Sequence, residues 1–456
     1  MPRRSLAIIL AAGEGTRMRS DLPKVLHPIA HRPMVCHVIA ACLEAGVDEV
    51  AIVVGTQAQK VRETVGREFD DVAFYEQTER LGTAHAVLAA KDAVRSDHDD
   101  VLVLFGDVPL ITPGAVRSLL DLRASGTQVG VLGFETTNPT GYGRMIVEDG
   151  SLLRIVEEKD ANEAERAVTF CNAGLMAFDA ALAVELLEAV GAENAQGEYY
   201  LPDTVALAAE RRLSVAALEL DEEETLGVND RVQLADREAR WQRRAREVAM
   251  RAGVTMQAPE TVSLAYDTQI APDCTIEPNV WFGPGVTVGR GTRLRANSHF
   301  EGAQIGSACE IGPFARLRPG ATVHDRAKIG NFVEMKGATL REGAKINHLS
   351  YVGNADVGAR SNIGAGVVTA NYDGFGKYQT DIAENVFVGT NATLVAPVSI
   401  GEGANIAAGS VITSDVPAGS LSFGRARQVD KEGRAASFRA EAKARKDARK
   451  GAAKET

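Results

Sequence analysis

The chain is poor in cysteine and aromatic residues and has no long apolar segment. Its five cysteines are scattered and form no C-x-x-C pair, a pattern typical of buried free thiols in a reducing compartment and not of a disulfide framework or metal site. Aromatic residues make up only 5% of the chain and the formal net charge is −11, which argues against a surface that coats nucleic acid. The apolar run Leu6–Leu10 is too short to cross a membrane. We therefore expect a soluble cytoplasmic protein that has neither nucleic acid nor a membrane as a partner.

The chain exceeds the length that one hydrophobic core usually supports. With 456 residues, of which 45% are hydrophobic, it is expected to form two or more domains. In the first half, apolar runs alternate with segments of helical spacing, which predicts a doubly wound α/β sheet with ligands at the carboxyl ends of its strands. Strands are predicted at Leu6–Leu10, Val50–Val54, Val72–Tyr75, Val101–Phe105 and Val129–Phe134, and helices at Val35–Glu44, Gln59–Arg67 and from Thr83 to about Val94.

The second half carries an aliphatic residue at every sixth position. Neither a helix nor a lone strand has this period, whereas a coil of short strands joined by turns does, with one inward aliphatic side chain per strand. A β-sandwich is the alternative, but its strands vary in length and would not keep one period for so long. The repeat is carried by Ile270, Ile276, Phe282, Val288 and Leu294, by Ile305, Ile311, Leu317, Val323 and Ile329, and by Leu394, Ile400, Ile406 and Ile412.

Two charged segments flank this repeat. Arg231–Arg251 has helical character without a matching strand, and we interpret it as a connector with a solvated face and no binding role. After Arg425 the sequence alternates alanine with lysine or arginine, which predicts a mobile tail. The predicted domains are residues 1–229, a helical linker at 230–250, the solenoid at 251–430 and a basic tail at 431–456.

A glycine-rich turn follows the first predicted strand. It reads L-A-A-G-E-G-T-R-M and is followed by L-P-K, so that backbone N–H groups, Arg17 and Lys24 could all face phosphates. It lacks the G-K-[ST] of a Walker A loop and the third glycine of a dinucleotide fingerprint, and alone it could equally be a structural turn. Asp107 ends another strand, where it could bind Mg²⁺ or, as readily, cap a turn.

The solenoid period breaks at two places. The segments Asn331–Lys336 and Lys345–Tyr351 depart from it slightly, and Thr369–Asp381 interrupts it altogether, which is where function is expected on a regular solenoid. His348 adjoins the inward Ile346 and is expected to project from the outside of the coil. Most surface histidines have no catalytic role, so this position alone does not assign one.

Nine motifs occur in order along the first half of the chain. They are L-A-A-G-x-G-T-R-M, L-P-K, Q-x-x-x-L-G-T-A-H-A, G-D-V-P-L, P-T-G-Y-G-R, V-E-x-K-D, N-A-G, Q-G-E-Y-Y and G-V-N-D. Together they resemble the sugar-nucleotide pyrophosphorylases. With the hexapeptide repeat, the chain to about residue 430 resembles the bifunctional bacterial enzymes that join an N-acetylglucosamine-1-phosphate uridyltransferase to a glucosamine-1-phosphate N-acetyltransferase. The resemblance implies an α/β Rossmann-like nucleotidyltransferase domain followed by a left-handed parallel β-helix.

The resemblance also implies roles in the first domain. Arg17 and Lys24 would be catalytic, and Asp107 and Asn229 would hold Mg²⁺ while UTP reacts with N-acetylglucosamine 1-phosphate. Phe105 stands where many relatives have tyrosine, which puts one minor contact in doubt. The residues implied to bind nucleotide or sugar are Leu10, Ala11, Ala12, Gly13, Lys24, Gln77, Gly82, Thr83, Phe105, Gly106, Asp107, Gly143, Glu157, Asn172 and Asn229.

For the second domain the resemblance implies acetyl transfer from acetyl-CoA to glucosamine 1-phosphate. His348 would be the general base, with Glu334 orienting it, and the active protein would be a homotrimer. Asn347 and Thr390 stand where many relatives have glycine and serine. The acceptor would be bound by Arg318, Lys336, Tyr351, Asn362 and Lys377, and acetyl-CoA by Ala365, Asn371, Tyr372, Thr390, Ala408 and Arg425.

Two other functions fit the same architecture. One is a single-activity nucleotidyltransferase for another hexose 1-phosphate, in which the β-helix is structural or regulatory. The other is a non-catalytic scaffold, which should lack the set Arg17, Lys24, Asp107 and Asn229. All four are present, and Lys336, His348 and Tyr351 argue against the first alternative.

Overall fold

The computed structural model describes residues 3–148 and 150–452. It divides into two compact units. The first unit comprises the chain up to Val288 together with His299–Glu301, and the second comprises Gly289–Ser298 and the chain from Gly302 onward. Across the described residues, no helix combines the length and apolar character needed to span a bilayer.

The N-terminal part of the first unit is a sheet with helices on both faces. The strands of this part are β1 (Ser5–Ala11), β2 (Pro28–Ile29), β3 (Arg32–Pro33), β4 (Glu49–Val54), β5 (Val72–Glu76), β6 (Asp100–Phe105), β7 (Val129–Glu135), β8 (Arg144–Glu148), β9 (Ser151–Val156), β10 (Phe170–Asp179) and β11 (Val215–Glu219). Strands β2 and β3 form a separate antiparallel pair, and the other nine form the sheet. Its helices are α1 (Met34–Ala45), α2 (Ala58–Val65), α3 (Thr83–Leu88), α4 (Lys91–Val94), α5 (Pro113–Ala124), α6 (Glu163–Arg166), α7 (Ala180–Glu188), α8 (Asp203–Glu210), α9 (Glu222–Thr225) and α10 (Arg231–Arg251). Short 3-10 turns span Thr16–Met18, Lys24–Leu26 and, later in the chain, Pro259–Thr261.

The central strands run in the order β11-β7-β10-β6-β1-β4-β5. Strand β1 pairs in parallel with both β4 and β6, and all seven of its residues are buried, as expected for a strand covered on both faces. Strand β10 is antiparallel to β6 and β7, and the hairpin β8–β9 pairs with it, so the sheet is mixed. The parallel core places the loops after β1 and β6 at the same edge.

The hexapeptide region consists of very short strands. In chain order they are β12 (Thr255–Met256), β13 (Gln269–Ile270), β14 (Thr275–Ile276), β15 (Trp281–Phe282), β16 (Thr287–Val288), β17 (Arg293–Leu294), β18 (His299–Phe300), β19 (Ala303–Ile305), β20 (Glu310–Ile311), β21 (Arg316–Leu317), β22 (Ala321–Val323), β23 (Lys328–Asn331), β24 (Glu334–Lys336), β25 (Thr339–Leu340), β26 (Lys345–His348), β27 (Tyr351–Gly353), β28 (Ala355–Val357), β29 (Asn362–Ile363), β30 (Val368–Ala370), β31 (Thr380–Ile382), β32 (Phe387–Val388), β33 (Thr393–Val395), β34 (Val398–Ile400), β35 (Asn405–Ile406), β36 (Val411–Ile412) and β37 (Leu421–Ser422). The first unit holds β12 to β16 and β18, and the second holds the others.

Within the second unit these strands stack into three parallel sheets. The sheets run β17-β20-β23-β26-β29-β32-β35-β37, β19-β22-β25-β28-β31-β34 and β21-β24-β27-β30-β33-β36. Each coil contributes one strand to each sheet, which is the left-handed parallel β-helix that the resemblance implied. The six-residue period reflects burial, since Ile311, Leu317, Ile329 and Leu394 are fully buried.

Some elements differ from the sequence predictions. The helix predicted from Thr83 to about Val94 is broken into α3 and α4, because the backbone turns at Ala89 and Ala90. Ile270, the first residue of the six-residue series, is only half buried. The antiparallel hairpin β8–β9 was not predicted. The basic tail forms helix α11 (Arg434–Ala452), and its predicted mobility stays a prediction.

Candidate active sites

The glycine-rich turn after β1 lies beside the residues predicted to bind nucleotide. A cavity of about 340 Å³ opens there. Gly106 donates its N–H to the Leu10 carbonyl at 2.9 Å, which holds the ends of β1 and β6 together. The predicted residues that line this cavity are Leu10, Ala11, Ala12, Gly13, Lys24, Gln77, Gly82, Thr83, Phe105 and Asp107. The structure therefore brings together segments up to 97 positions apart in the sequence.

Two cationic and two oxygen-bearing side chains meet at the edge of this cavity. Lys24 donates to Asp107 and also, at 3.3 Å, to the Asn229 side-chain oxygen. Arg17 donates to the same Asn229 oxygen at 2.9 Å. The Val228 N–H bonds to the Asp107 carbonyl at 2.9 Å and so fixes Asn229 beside β6.

These oxygens fit the predicted magnesium site. The Lys24 ammonium contacts both Asp107 and Asn229, so their oxygens already share one cation. Within the described part of the chain, no three His, Cys, Asp or Glu residues are grouped closely enough to hold a metal ion. Two protein oxygens are nevertheless suited to Mg²⁺, which usually completes its shell with water and substrate phosphates.

The backbone at Gly82 is specific to glycine. Its φ is +116°, and a Cβ atom would lie 2.4 Å from the Tyr199 carbonyl oxygen, so a larger residue would have to displace backbone. Thr83 begins α3, and its hydroxyl accepts the Leu201 N–H at 2.9 Å. Gln77 donates to the Gly82 carbonyl at 3.3 Å. These contacts hold in place a loop that lines the nucleotide cavity.

A second cavity of about 490 Å³ adjoins the first, because Thr83 and Phe105 line both. It holds the residues predicted to bind the sugar, namely Gly143, Glu157 and Asn172, together with Arg17 and Asn229. An irregularity in the β7–β10 pairing falls between Asn172 and Leu175. There Gly174 has φ +75° and donates its N–H to the Asn172 side chain at 2.9 Å. The irregularity turns Asn172 toward the cavity.

The carboxyl groups beside the sugar cavity have perturbed acidity. Burial, reinforced by Asp203 and Asp160, raises the pKa of Glu157. Burial and the charge of Asp160 raise the pKa of Asp203 to about 6. Such groups resist ionisation because burial penalises the charged form and nearby carboxylates repel it. A polar ligand able to donate hydrogen bonds would relieve this cost.

In the second unit His348 ends strand β26 with an exposed side chain. Its Nδ1 atom contacts the Asn331 side-chain oxygen, from the register-matched position of β23. Glu334 accepts from Arg318 at 2.8 Å and does not contact His348 through any hydrogen bond seen among the described residues, so its orienting role stays a prediction. Asn347 lies in the extended backbone of β26, a conformation open to any residue, so its difference from glycine causes no strain. Its amide donates to Asn362 at 3.2 Å.

Three cationic side chains predicted to bind the acceptor lie together. The positive charges of Arg318 and then Lys377 lower the pKa of Lys336. Tyr351 is register-paired with Glu334, one strand below in the same sheet. A cluster of like charges is unfavourable alone and favourable around an anion, so this surface is suited to a phosphate group.

Three of the predicted acetyl-CoA residues lie in a column with His348 along one corner of the β-helix. Backbone hydrogen bonds join one corner of successive coils, from Gly366 to His348 at 3.1 Å, from Asn391 to Ala365 at 2.7 Å and from Gly409 to Thr390 at 2.8 Å. Ala365, Thr390 and Ala408 therefore occupy equivalent positions on consecutive coils. Arg425 reaches the last of these corners, with its Cδ 3.7 Å from the position a Cβ of Gly409 would take.

The inserted loop is held by its own hydrogen bonds. Asn371 is buried and its amide donates to Asn354 at 2.7 Å. Asp373 accepts the N–H groups of Phe375 and Gly376, each at 2.8 Å, and the Tyr378 hydroxyl at 2.9 Å. Tyr372 is left 60% exposed at the start of the loop.

Both halves of the chain match known families. Residues 7–195 match the MobA-like NTP transferase domain, and residues 302–337 and 380–414 match the bacterial transferase hexapeptide (six repeats). The bifunctional protein GlmU of Agrobacterium fabrum is 53% identical over 450 residues, which cover 99% of each chain. The bifunctional protein GlmU of Sinorhizobium fredii is 54% identical over 99% of this chain and 99% of its own length. That of Rhizobium rhizogenes is 51% identical over 99% of this chain and 100% of its own length. The chain belongs to the GlmU family. The resemblance inferred from the motifs is thus confirmed.

Several side chains of this GlmU-family chain were not predicted at its sites. Arg80 lines the nucleotide cavity and pairs with Glu14 in the glycine-rich turn. Gln233 and Arg237 of α10 line the sugar cavity, although that segment was predicted to have no binding role. Asn331 contacts His348. The pairing register of β23 with β26 is the signal that would have found Asn331, because it stands 17 residues before His348, at the equivalent position of the preceding coil.

Proposed function

We propose that the protein makes UDP-N-acetylglucosamine by two reactions. The first transfers an acetyl group from acetyl-CoA to glucosamine 1-phosphate, and the second transfers a uridylyl group from UTP to N-acetylglucosamine 1-phosphate with release of pyrophosphate. One observation carries the proposal. The chain is about half identical, over nearly its whole length, to proteins named bifunctional, and it has a set of phosphate-binding residues in the α/β region and a histidine with cationic neighbours in the β-helix.

The uridylyl transfer needs positioning and charge neutralisation. The sugar-phosphate oxygen is already ionised, attacks the α-phosphorus of UTP in line and displaces pyrophosphate, so no general base and no covalent enzyme intermediate are required. Lys24, Arg17 and the N–H groups of the glycine-rich turn neutralise the phosphates. Asp107 and Asn229 would hold Mg²⁺, which when bound supplies further positive charge to the triphosphate.

The sugar is held on the other side of the same site. Asn172 and Glu157 face the adjoining cavity, and the raised pKa of Glu157 suits a carboxyl group that accepts hydrogen bonds from sugar hydroxyls once a ligand excludes water. Gly143 leaves room there, since a Cβ would lie 3.1 Å from the Glu157 carboxylate.

The acetyl transfer needs a base and an anchored amine. His348 takes the proton that the amine of glucosamine 1-phosphate loses as it attacks the thioester carbonyl, and CoA thiolate leaves. Asn331 holds the imidazole through Nδ1, which leaves Nε2 to face the substrate. Arg318, Lys336 and Lys377 bind the phosphate, with Tyr351 and Asn362 beside them. Acetyl-CoA lies along Ala365, Thr390, Ala408 and Arg425, near Asn371 and Tyr372.

We further propose a homotrimer in the cytoplasm. Support comes from an apolar column beside His348, formed by Phe314, Phe332 and Leu349, which are 46%, 53% and 63% exposed. The two phenylalanine rings stack at 5.1 Å. An apolar strip of this kind next to a candidate active site is typical of a surface covered by another subunit.

One assay tests the proposal. Purified protein is given glucosamine 1-phosphate, acetyl-CoA, UTP and Mg²⁺, and free CoA and pyrophosphate are measured separately. We expect both products, with pyrophosphate release dependent on Mg²⁺ and on prior acetylation. Pyrophosphate release with another hexose 1-phosphate, supplied in a separate reaction, without any CoA release from glucosamine 1-phosphate would support the single-activity alternative. The absence of both products would contradict the proposal.

A further inference from the structure

Helix α10 presents a buried arginine to the sugar cavity. Arg237 is 8% exposed and lines this cavity together with Tyr142 and, one helical turn earlier, Gln233. It does not line the nucleotide cavity. Residues four apart lie on one face of a helix, so Gln233 and Arg237 together form the wall that α10 contributes.

Arg237 is incompletely paired. Its guanidinium donates to Asp236, and its Nε atom is buried with no hydrogen-bond partner. Asp236 does not depend on it, because Arg240 donates to the same carboxylate oxygen at 2.8 Å. A buried cation with an unused donor is unfavourable unless something else accepts its hydrogen bonds. The pairing with Asp236 therefore does not account for the burial of Arg237.

The position of Arg237 indicates which ligand could accept from it. The Gln233 side chain accepts the Asn229 N–H at 2.7 Å, and Asn229 in turn contacts Arg17 and Lys24. Arg237 is thus one turn farther from the phosphate-binding cluster, toward Tyr142 and Gly143. A guanidinium offers several donors in one plane and is suited to the oxygens of an anionic sugar phosphate.

We propose that Arg237 is a further substrate-binding residue, which donates to oxygen atoms of the sugar 1-phosphate and sets its affinity. The inference rests on the proposed uridylyl transfer. It gives α10 a role in substrate recognition that its charged sequence did not suggest.

Arg237→Met tests this in the full-length protein. We expect the KM for N-acetylglucosamine 1-phosphate to rise about 10- to 100-fold, as for loss of one charge-assisted bond, while the KM for UTP changes less than about 2-fold. Arg237→Lys should keep part of the affinity, with a KM rise of about 3- to 10-fold. The matched control is Arg243→Met, on the same helix, where the side chain is 52% exposed and pairs with Glu223.

Thermal unfolding of each variant checks its folding, because CoA release reports only on the second unit, to which Arg237 does not belong. If Arg237→Met fails to fold, the lysine variant decides. An unchanged sugar-phosphate KM, or equal rises in both KM values, would overturn the inference. Absence of pyrophosphate release in the unmodified protein would overturn the proposed function instead. Calorimetric titration of N-acetylglucosamine 1-phosphate into the unmodified protein and into Arg237→Met would then test Arg237 separately. We expect weaker binding to Arg237→Met, and equal binding to the two proteins would contradict the inference.

Discussion

The α/β region and the β-helix place their functional side chains in different ways. In the α/β region, functional side chains from distant segments are brought together where the backbone is irregular. Examples are the positive φ of Gly82 and the shifted strand register after Asn172. In the β-helix, Ala365, Thr390 and Ala408 occupy one corner of successive coils, and His348 and Asn331 follow from the strand register. The first arrangement is sensitive to backbone geometry, whereas the second depends on the side chains that a regular scaffold displays.

The largest expected effect comes from removing His348, the proposed general base. His348→Ala should lower CoA release by about 10²- to 10⁴-fold, the usual contribution of a general base. Since the histidine is exposed, the fold should survive and pyrophosphate release should stay within about 2-fold of the unmodified protein. Rates of both products are measured on the same preparation. A parallel loss of pyrophosphate release in a folded variant would show that the two sites are not independent.

Backbone substitution in the α/β region should have the next largest effect. Gly82→Ala places a Cβ 2.4 Å from the Tyr199 carbonyl, so pyrophosphate release should fall at least about 10-fold while CoA release is kept. Gly126→Ala is the matched control, with φ +97° and no atom within 4 Å of the added Cβ. It should lower stability without lowering either rate. Equal activity of the two variants would mean that the loop at Gly82 tolerates distortion.

The smallest expected effect concerns stability and pH. Asp203 has a pKa of about 6 in the folded protein, which is higher than the pKa of about 4 expected in the unfolded chain. The free energy of unfolding therefore decreases as the pH rises from about 4 to 6, because ionisation of Asp203 favours the unfolded chain. Asp203→Asn should therefore raise the free energy of unfolding at pH 8 by about 1 kcal/mol, after discounting for its partial exposure, and the gain should vanish near pH 4.

Thermal unfolding of the Asp203→Asn variant across this pH range checks the sign. Asp97→Asn is the control, because the Asp97 side chain is 99% exposed. A variant that was less stable than the unmodified protein at pH 8, or equally stabilised at pH 4 and pH 8, would contradict the assigned cause.

The β-helix was more predictable from the sequence than the α/β region. The six-residue period separates inward from outward side chains, and so it indicated that His348 projects outward and that the loop near Asn371 interrupts the coil. Helix α10 was also predicted with its observed bounds, Arg231–Arg251. Local periodicity is sufficient for such elements because each residue's environment repeats along the chain.

The irregular contacts were not predictable in the same way. Strand β10 runs antiparallel in a sheet expected to be parallel, and its shifted register carries Asn172, whose role came only from the resemblance. Arg237 is buried by packing around the sugar cavity, which charge pattern alone does not reveal. The role of Glu334 beside His348 came only from the resemblance, and in the structure Glu334 accepts from Arg318 while Asn331 contacts His348.

Mixing two inactivated variants tests most directly whether the two transfers occur at separate sites. His348→Ala and Asp107→Ala are combined in equal amounts with glucosamine 1-phosphate, acetyl-CoA, UTP and Mg²⁺, and UDP-N-acetylglucosamine is measured. We predict that each variant alone makes almost none, and that the mixture makes it readily, because acetylated sugar phosphate released by one variant is used by the other. No product from the mixture, although each variant retains its own half-reaction, would contradict independent sites linked by a diffusing intermediate.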